Sequence, residues 1–398
     1  MSDRLIYLDN AATSYPKPPE VLDEMLRGYR ELGVSPGRGS YDLAVQAGDV
    51  VEQTRKKLAR FFGAPDPNRV VFAANATDAL NLAFNGLIRP GDHVVSTRLE
   101  HNSVLRPLHH FRSRGWISFD LVPCDGRGFI DPDDVARRIQ PNTRAVVVTH
   151  ASNVLGTVQP VQPIGRLCAR RGVPLIVDAS QSAGIIPIDM TAWQVSAVAF
   201  TGHKSLFGPT GIGGLVIHPD LDIQASRFGG TGIDSRELDH TPTYPHRLEA
   251  GTVNLMGIMG LSAGLDYVTR RGLGAIHHHE MALLTRLRDG LAAIAPVEMY
   301  CAASLIDHVA VLTLNVVGVN PEDAGAVLDA DFNIAVRVGL HCAPLAHQHL
   351  GTLHRGAVRF SPGAFNTPED IDRAVEALAS LAGGDGGSPG AANRGTPW

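Results

Sequence analysis

Between residues 69 and 202 the chain repeats short apolar, β-branched runs, "RVVFAA", "DHVVST", "RAVVVTHA", "PLIVDAS" and "AVAFTG", with helix-like stretches such as "DALNLAFNGL" among them. Strands buried on both faces lose the polar alternation of a one-sided sheet, so this order predicts an α/β fold with a mostly parallel sheet covered by helices. After "LEAGTVNLMGIMGLSAG" the pattern changes to a long helical segment, "HHHEMALLTRLRDGLAAI", and then to alternating stretches such as "HVAVLTLNVVG". The expected division is an N-terminal segment over residues 1–15 near the active site, a large α/β domain over 16–255 and a smaller C-terminal α+β domain over 256–382. The remainder, "GGDGGSPGAANRGTPW" over 383–398, has almost nothing to bury and reads as disordered.

With 398 residues, 44% hydrophobic and 19% charged, the chain has ordinary globular composition and enough length for two cores. A formal net charge of -5 gives no long-range attraction to nucleic acid or to an anionic membrane, so neither is an expected partner and the ligand should be small. The start, "MSDRLIYLDN", lacks a basic stretch followed by an apolar one, and no apolar run approaches membrane-spanning length, so a cytoplasmic protein is expected. Four cysteines, Cys124, Cys168, Cys301 and Cys342, lie far apart without CxxC spacing, which indicates neither a disulfide framework nor a zinc site.

Ligands of open parallel sheets gather beyond the carboxyl ends of the strands. After "RVVFAA", Asn75, Ala76 and Thr77 open a helix whose free N–H groups suit a phosphate, or are simply capped by Asn75 or Thr77. After "PLIVD", Asp178 sits at a strand end with Gln181 three residues on; its carboxylate can pair with a protonated ring nitrogen or cap the next helix. After "HVVSTR", His101 offers an imidazole to stack on a flat ring or move protons. In "AFTGHKSLFGPTGIGG", Lys204 follows His203 among small and apolar residues, where desolvation lowers an ammonium pKa and makes an amine fit for a Schiff base. The glycines behind it are expected to let backbone approach a ligand. A phosphate site, an acid for a pyridinium, a stacking imidazole and an anchoring lysine together describe a pyridoxal 5'-phosphate pocket.

The stretches "YLDNAATSYPKP", "ATDALNLA", "LEHNS", "THASNVLGTVQPV", "VDASQSAG", "FTGHKSLFGPTGIGGL", "LEAGTVN", "HCAP" and "VRFSPGAFNT" resemble the cysteine desulfurase group of class V aminotransferase-like enzymes, from about residue 6 to 380. The resemblance implies a fold type I pyridoxal phosphate enzyme that converts L-cysteine to L-alanine and passes sulfur through a cysteine persulfide. It implies Lys204 as the cofactor lysine beside His203, Thr201 and Thr77 on the phosphate with Ala76, Asp178 on the pyridine nitrogen, Gln181 on the cofactor hydroxyl and His101 stacked on the ring. It further places Asn153 near cofactor and substrate carboxylate, Arg359 on that carboxylate, and Asn10 and Ala11 beside the substrate. Thr252 would reach the phosphate of a neighbouring subunit, which makes a homodimer the expected state. Cys342, in "RVGLHCAPLAH", matches the sulfur-accepting nucleophile, and His341 can favour its thiolate. Cys168, Cys124 and Cys301 are expected to be inert.

The segment "SPGRGSYDLA" keeps Arg38 and Gly39 but continues Ser-Tyr where many relatives carry histidine, leaving the neighbouring subunit's contribution open. The short "HCA" form implies that a sulfur-acceptor protein, an iron-sulfur scaffold or another thiol carrier, approaches the site. Sibling reactions on the same scaffold are selenocysteine lyase and cysteine sulfinate desulfinase, which ask less of Cys342, and, further off, amino transfer. His347, His349 and His354 lack a supporting carboxylate or thiolate pattern and are expected to be polar loop residues, not metal ligands.

Overall fold

The computed structural model describes residues 4–37, 39–233 and 236–383; Arg38 and the tail from residue 384 lie outside them. Seven strands form the large sheet in the order Val70–Ala73, Gly213–Ile217, Ala197–Thr201, Leu175–Asp178, Thr143–Thr149, Asp92–Thr97, Ile117–Val122. All run parallel except Gly213–Ile217, which is antiparallel to both neighbours. The β-branched runs serve both faces by strict alternation: Val95, Val146, Val148, Val177 and Val198 enter one core, while Val94, Val147 and Ile176 enter the other. Each of these side chains is fully buried, which is worth about 1.5–3 kcal/mol apiece.

Parallel strands expose all their carboxyl ends along one edge, and there Thr149, Asp178 and Thr201 each close a strand. Helices Ala76–Leu87 and Asn102–Ser113 start at the same edge, capped by the side chains of Asn75 and His101.

A smaller unit carries an antiparallel sheet ordered Arg337–Gly339, Ala357–Phe360, Leu312–Val316, Val297–Met299, with helices Leu273–Leu291 and Pro368–Gly383 packed together beside it. The N-terminal strand Ile6–Tyr7 pairs with Ile334–Ala335, and Ile6 and Leu8 bury in the small unit's core. Residues 13–17 then reach the large unit, so this segment straps the two together beneath the site. The helix Leu255–Arg271 lies across the expected boundary at residues 255 and 256. Its Ile258, Leu261 and Leu265 enter the large sheet's core, because the helix packs against Pro19–Leu32 and Asp42–Phe61. Among the described residues no helix is long and apolar enough to cross a membrane.

Candidate active site

A cavity of about 420 Å³ opens at the carboxyl edge of the large sheet, lined from that sheet by Thr77, His101, Asp178, Gln181, Thr201, His203 and Lys204. Asn153, Cys342, Arg359 and Ala11 complete the lining. Residues spread over nearly 350 positions of sequence therefore meet in one space.

Lys204 is held by its backbone. The N-terminal strap grips the turn: Thr13 Oγ1 donates to the His203 carbonyl (3.0 Å), Ser14 Oγ donates to the Lys204 carbonyl (2.9 Å), and Lys17 Nζ donates to the His203 carbonyl. Burial pushes the Lys204 ammonium down to about 8, partly offset by the Asp178 carboxylate. Asp178 in turn accepts from the Ser180 amide at 2.9 Å.

His101 is a helix cap as well as a wall residue. Its Nδ1 accepts from the Ser103 amide (3.0 Å) and lies 2.7 Å from Ser103 Oγ, which is itself 2.7 Å from Thr77 Oγ1. An Nδ1 that accepts a backbone N–H carries no proton, so the neutral ring bears its hydrogen on Nε2. Burial lowers the His101 pKa and keeps the ring neutral near pH 7.

Arg359 is 3% exposed and forks between two partners, Nη2 donating to Asp9 Oδ1 at 2.7 Å and Nη1 to the Asn153 carbonyl at 3.0 Å. The Asn153 side chain donates to the His341 carbonyl at 2.6 Å, and the Asn102 amide donates to the Cys342 carbonyl at 2.7 Å. These two bonds pin a turn in which His341 and Cys342 both adopt left-handed backbone, φ 49° and 56°. Non-glycine residues enter that region rarely and at a cost of about 1–3 kcal/mol each. The turn leaves Cys342 exposed. The other three cysteines differ, burial pushing Cys168 up to about 12 and Cys124 and Cys301 to about 11.

Four expectations change. His341 is no cationic partner for Cys342: burial pushes its pKa down to about 3, and its Nδ1 faces His347 Nε2 at 3.0 Å. His347 is no loop residue but fully buried, its Nδ1 2.8 Å from Thr352 Oγ1, while His349 and His354 are exposed. Asn10 does not face the cavity, because its amide is spent inside the strap on the Ser361 carbonyl (3.0 Å) and the Tyr7 carbonyl (3.3 Å). The glycines after Lys204 approach protein: a Cβ on Gly213 would stand 2.6 Å from the Phe200 carbonyl and 2.9 Å from Asn75 Cα. Thr252 is also apart, on the exposed rim of a separate cavity of about 380 Å³ above the buried Arg55–Glu249 pair.

The family model for class-V aminotransferases matches residues 6–374. The chain belongs to that family. A protein named probable cysteine desulfurase from Methanothermobacter thermautotrophicus is 36% identical over 385 residues, 95% of each chain. A cysteine desulfurase from Salmonella dublin is 33% identical over 386 residues, 95% of this chain and 93% of the relative. The apo structure of a cysteine desulfurase from Thermococcus onnurineus NA1 superposes with a TM-score of 0.90 at 34% identity, covering 96% of this chain and 95% of the other.

Class-V enzymes work with pyridoxal phosphate, and the groups left unpaired here fit that molecule. Thr201 Oγ1 and His203 Nδ1 are buried with no hydrogen-bond partner among the described residues, beside the Ala76–Leu87 helix start, where Ala76 and Thr77 have N–H groups without intrahelical partners. Buried donors of this kind cost free energy unless something accepts from them, and a phosphate would. Arg359 Nε is unpaired in the same cavity. Sequence reasoning missed Asp9, Ser14, Lys17 and Ser103. Asp9 was accessible to it, since a buried arginine requires a carboxylate.

Proposed function

We propose that the chain is a pyridoxal phosphate-dependent cysteine desulfurase that turns L-cysteine into L-alanine and receives the sulfur on Cys342. The observation that carries this reading is the meeting of Lys204, Arg359 and an exposed Cys342 in one cavity. Amino transfer has no use for a thiol presented on a strained, doubly pinned turn.

Bound pyridoxal phosphate would draw electrons from the substrate α-carbon. Lys204 would anchor it, Ala76, Thr77, Thr201 and His203 would hold its phosphate, Asp178 its ring nitrogen, Gln181 its hydroxyl, and His101 would cover its face. Arg359 binds the substrate carboxylate through Nε, while Asp9 and the Asn153 carbonyl fix the fork. With its pKa lowered from the ordinary 10.5 to about 8, Lys204 holds a far larger share of neutral amine near pH 7 than an exposed lysine, though the ammonium still predominates, and it takes the α-proton at Nζ. His101 presents Nε2–H to the substrate thiol. The Cys342 thiolate attacks the substrate sulfur, the carbon–sulfur bond breaks with its electron pair left on carbon, and alanine and a Cys342 persulfide result. A homodimer is part of this proposal, with Thr252 serving the phosphate of the second copy, and the expected compartment is the cytoplasm.

The test is to incubate the holoenzyme with L-cysteine and reductant and quantify alanine and sulfide for wild type and Cys342→Ala. Equal alanine and sulfide, both lost in the variant, support the reading. Wild type that forms alanine from selenocysteine or cysteine sulfinate but none from cysteine would replace it with one of the sibling reactions.

A further inference from the structure

Cys342 lines a second cavity, of about 500 Å³, in the groove between helices Ala76–Leu87 and Asn102–Ser113. The two cavities share Thr77, His101, Ser103 and Cys342, so Cys342 stands at their junction. On the first side are Lys204, Asp178 and Arg359. On the second, Asn81 and Asn85 face the groove from one helix and Arg106 and His110 from the other, each pair four residues apart and so on one helical face.

The chemistry of the groove is one-sided. Arg106 is exposed, and neither it nor any other described residue on the groove forms an ion pair, because no carboxylate lines it. Its charge reaches the head of the groove, where it acts on the His101 ring. The side-chain amides of Asn81 and Asn85 donate to the carbonyls of Thr77 and Asn81, both at 2.8 Å, which leaves their Oδ1 atoms to accept from a ligand. A volume of this size takes a small molecule or the tip of a peptide loop.

We propose, building on the desulfurase reading, that this groove is the route by which sulfur leaves Cys342, and that Arg106 selects an acceptor thiol bearing a carboxylate within a few atoms of its sulfur. Substrate is consumed on one side of Cys342 and the acceptor attacks from the other. The acceptor thiolate attacks the outer sulfur of the Cys342 persulfide, the sulfur–sulfur bond breaks, Cys342 leaves as thiolate, and the acceptor carries the persulfide with its proton. Charges balance and no oxidant or reductant is consumed. The guanidinium raises the local concentration of the anionic acceptor and holds its carboxylate during attack.

Holoenzyme is loaded with one equivalent of L-cysteine without added thiol, and alanine is measured. The loaded enzyme is then mixed with 3-mercaptopropionate, 2-mercaptoethanol or cysteamine, and loss of the persulfide is timed for wild type, Arg106→Gln, Arg106→Lys and Arg106→Glu. Each thiol is compared with itself across variants, so intrinsic thiol reactivity cancels. Arg106→Gln should slow mercaptopropionate about fivefold at low ionic strength, leave mercaptoethanol within about twofold and speed cysteamine; Arg106→Lys should keep most of the preference and Arg106→Glu reverse it. The preference should fade at high salt. Acetyl-Asp-Cys-amide against acetyl-Lys-Cys-amide repeats the comparison at peptide size: the same Arg106-dependent preference identifies a carrier loop as the source of the carboxylate, and a preference confined to mercaptopropionate identifies a free small thiol. Alanine formed in the loading step with equal Arg106 effects on all three thiols overturns the groove and spares the desulfurase. Absence of alanine in wild type overturns both.

Discussion

Lys204 and Cys342 belong to one cavity, and the protein makes them reactive by opposite means. Lys204 stands beyond the carboxyl end of a fully buried strand, its turn gripped through backbone carbonyls by the strap, and desolvation brings its pKa down to about 8. Cys342 stands on the small unit's side, exposed, on a left-handed turn held by two hydrogen bonds. The amine must lose its proton in a dry place, whereas the thiol must meet two molecules in succession. A group serving one bound cofactor can be buried; a group that passes an atom onward needs an open side.

That contrast is broken most sharply by deletion. Lys204→Ala should lower alanine formation by at least about 10³-fold, and borohydride reduction followed by mass spectrometry should find no cofactor on the chain. Cys342→Ala should abolish sulfide release to a similar extent while the cofactor absorbance still responds to added cysteine. If Lys204→Ala kept covalent cofactor, the division of labour between the two walls would be wrong.

The two walls also differed in how far they could be read in advance. The large sheet and its strand-end residues were legible because the β-branched runs and the motifs that follow them are local, and Asp178, Thr201 and Lys204 fall where the order of strands requires. The Cys342 side was less legible because it is built by long-range pairings. Nothing near His341 announces that Asn153 and Asn102 will hold its turn, since these contacts join residues up to 240 positions apart. The expected boundary between residues 255 and 256 falls at the start of a helix whose apolar face meets the large sheet's core, and a helix shows that face in sequence but not the unit it will meet.

Asp9 links the walls, because it comes from the strap and neutralises the buried fork of Arg359. Asp9→Asn should leave that guanidinium without its counter-charge, destabilising the protein by about 3 kcal/mol, read as a lower urea midpoint. The freed fork should also reorient, so KM for cysteine should rise more than kcat falls. A variant with unchanged midpoint and KM would mean that the Asn153 carbonyl alone holds Arg359.

Ser103 sharpens the comparison on the lysine side. Ser103→Ala removes the hydroxyl between Thr77 and His101 while the backbone cap to Nδ1 remains. Turnover should fall about tenfold to a hundredfold, the acid limb of the pH profile should move, and Ser103→Thr should restore both. Nitrogen-15 shifts of the His101 ring provide an independent reading: Nδ1 should be unprotonated in wild type and, because the backbone N–H still donates to it, in the alanine variant too, with its resonance displaced by loss of the hydroxyl contact.

The smallest effect at neutral pH belongs to the histidine pair behind Cys342. Burial holds His341 at about 3 and His347 at about 4, against an ordinary value of 6.5, so both are neutral in the folded protein. Between about pH 6.5 and 4 the unfolded chain binds protons there that the folded chain refuses. Stability therefore falls on acidification, by at most about 1.4 kcal/mol per pH unit for each imidazole, and is unaffected by these rings above pH 7. His347→Gln keeps a donor toward His341 Nδ1 and an acceptor toward Thr352 but cannot take a proton. At pH 7 its urea midpoint should match wild type within about 1 kcal/mol, and below pH 6 it should lose stability less steeply. Because the pair supports the turn without touching the reacting sulfur, persulfide formation on Cys342 at pH 7 should stay within about twofold of wild type. A large loss there, with stability intact, would make the imidazole pair part of the chemistry and erase the distinction between a wall that reacts through burial and one that reacts through exposure.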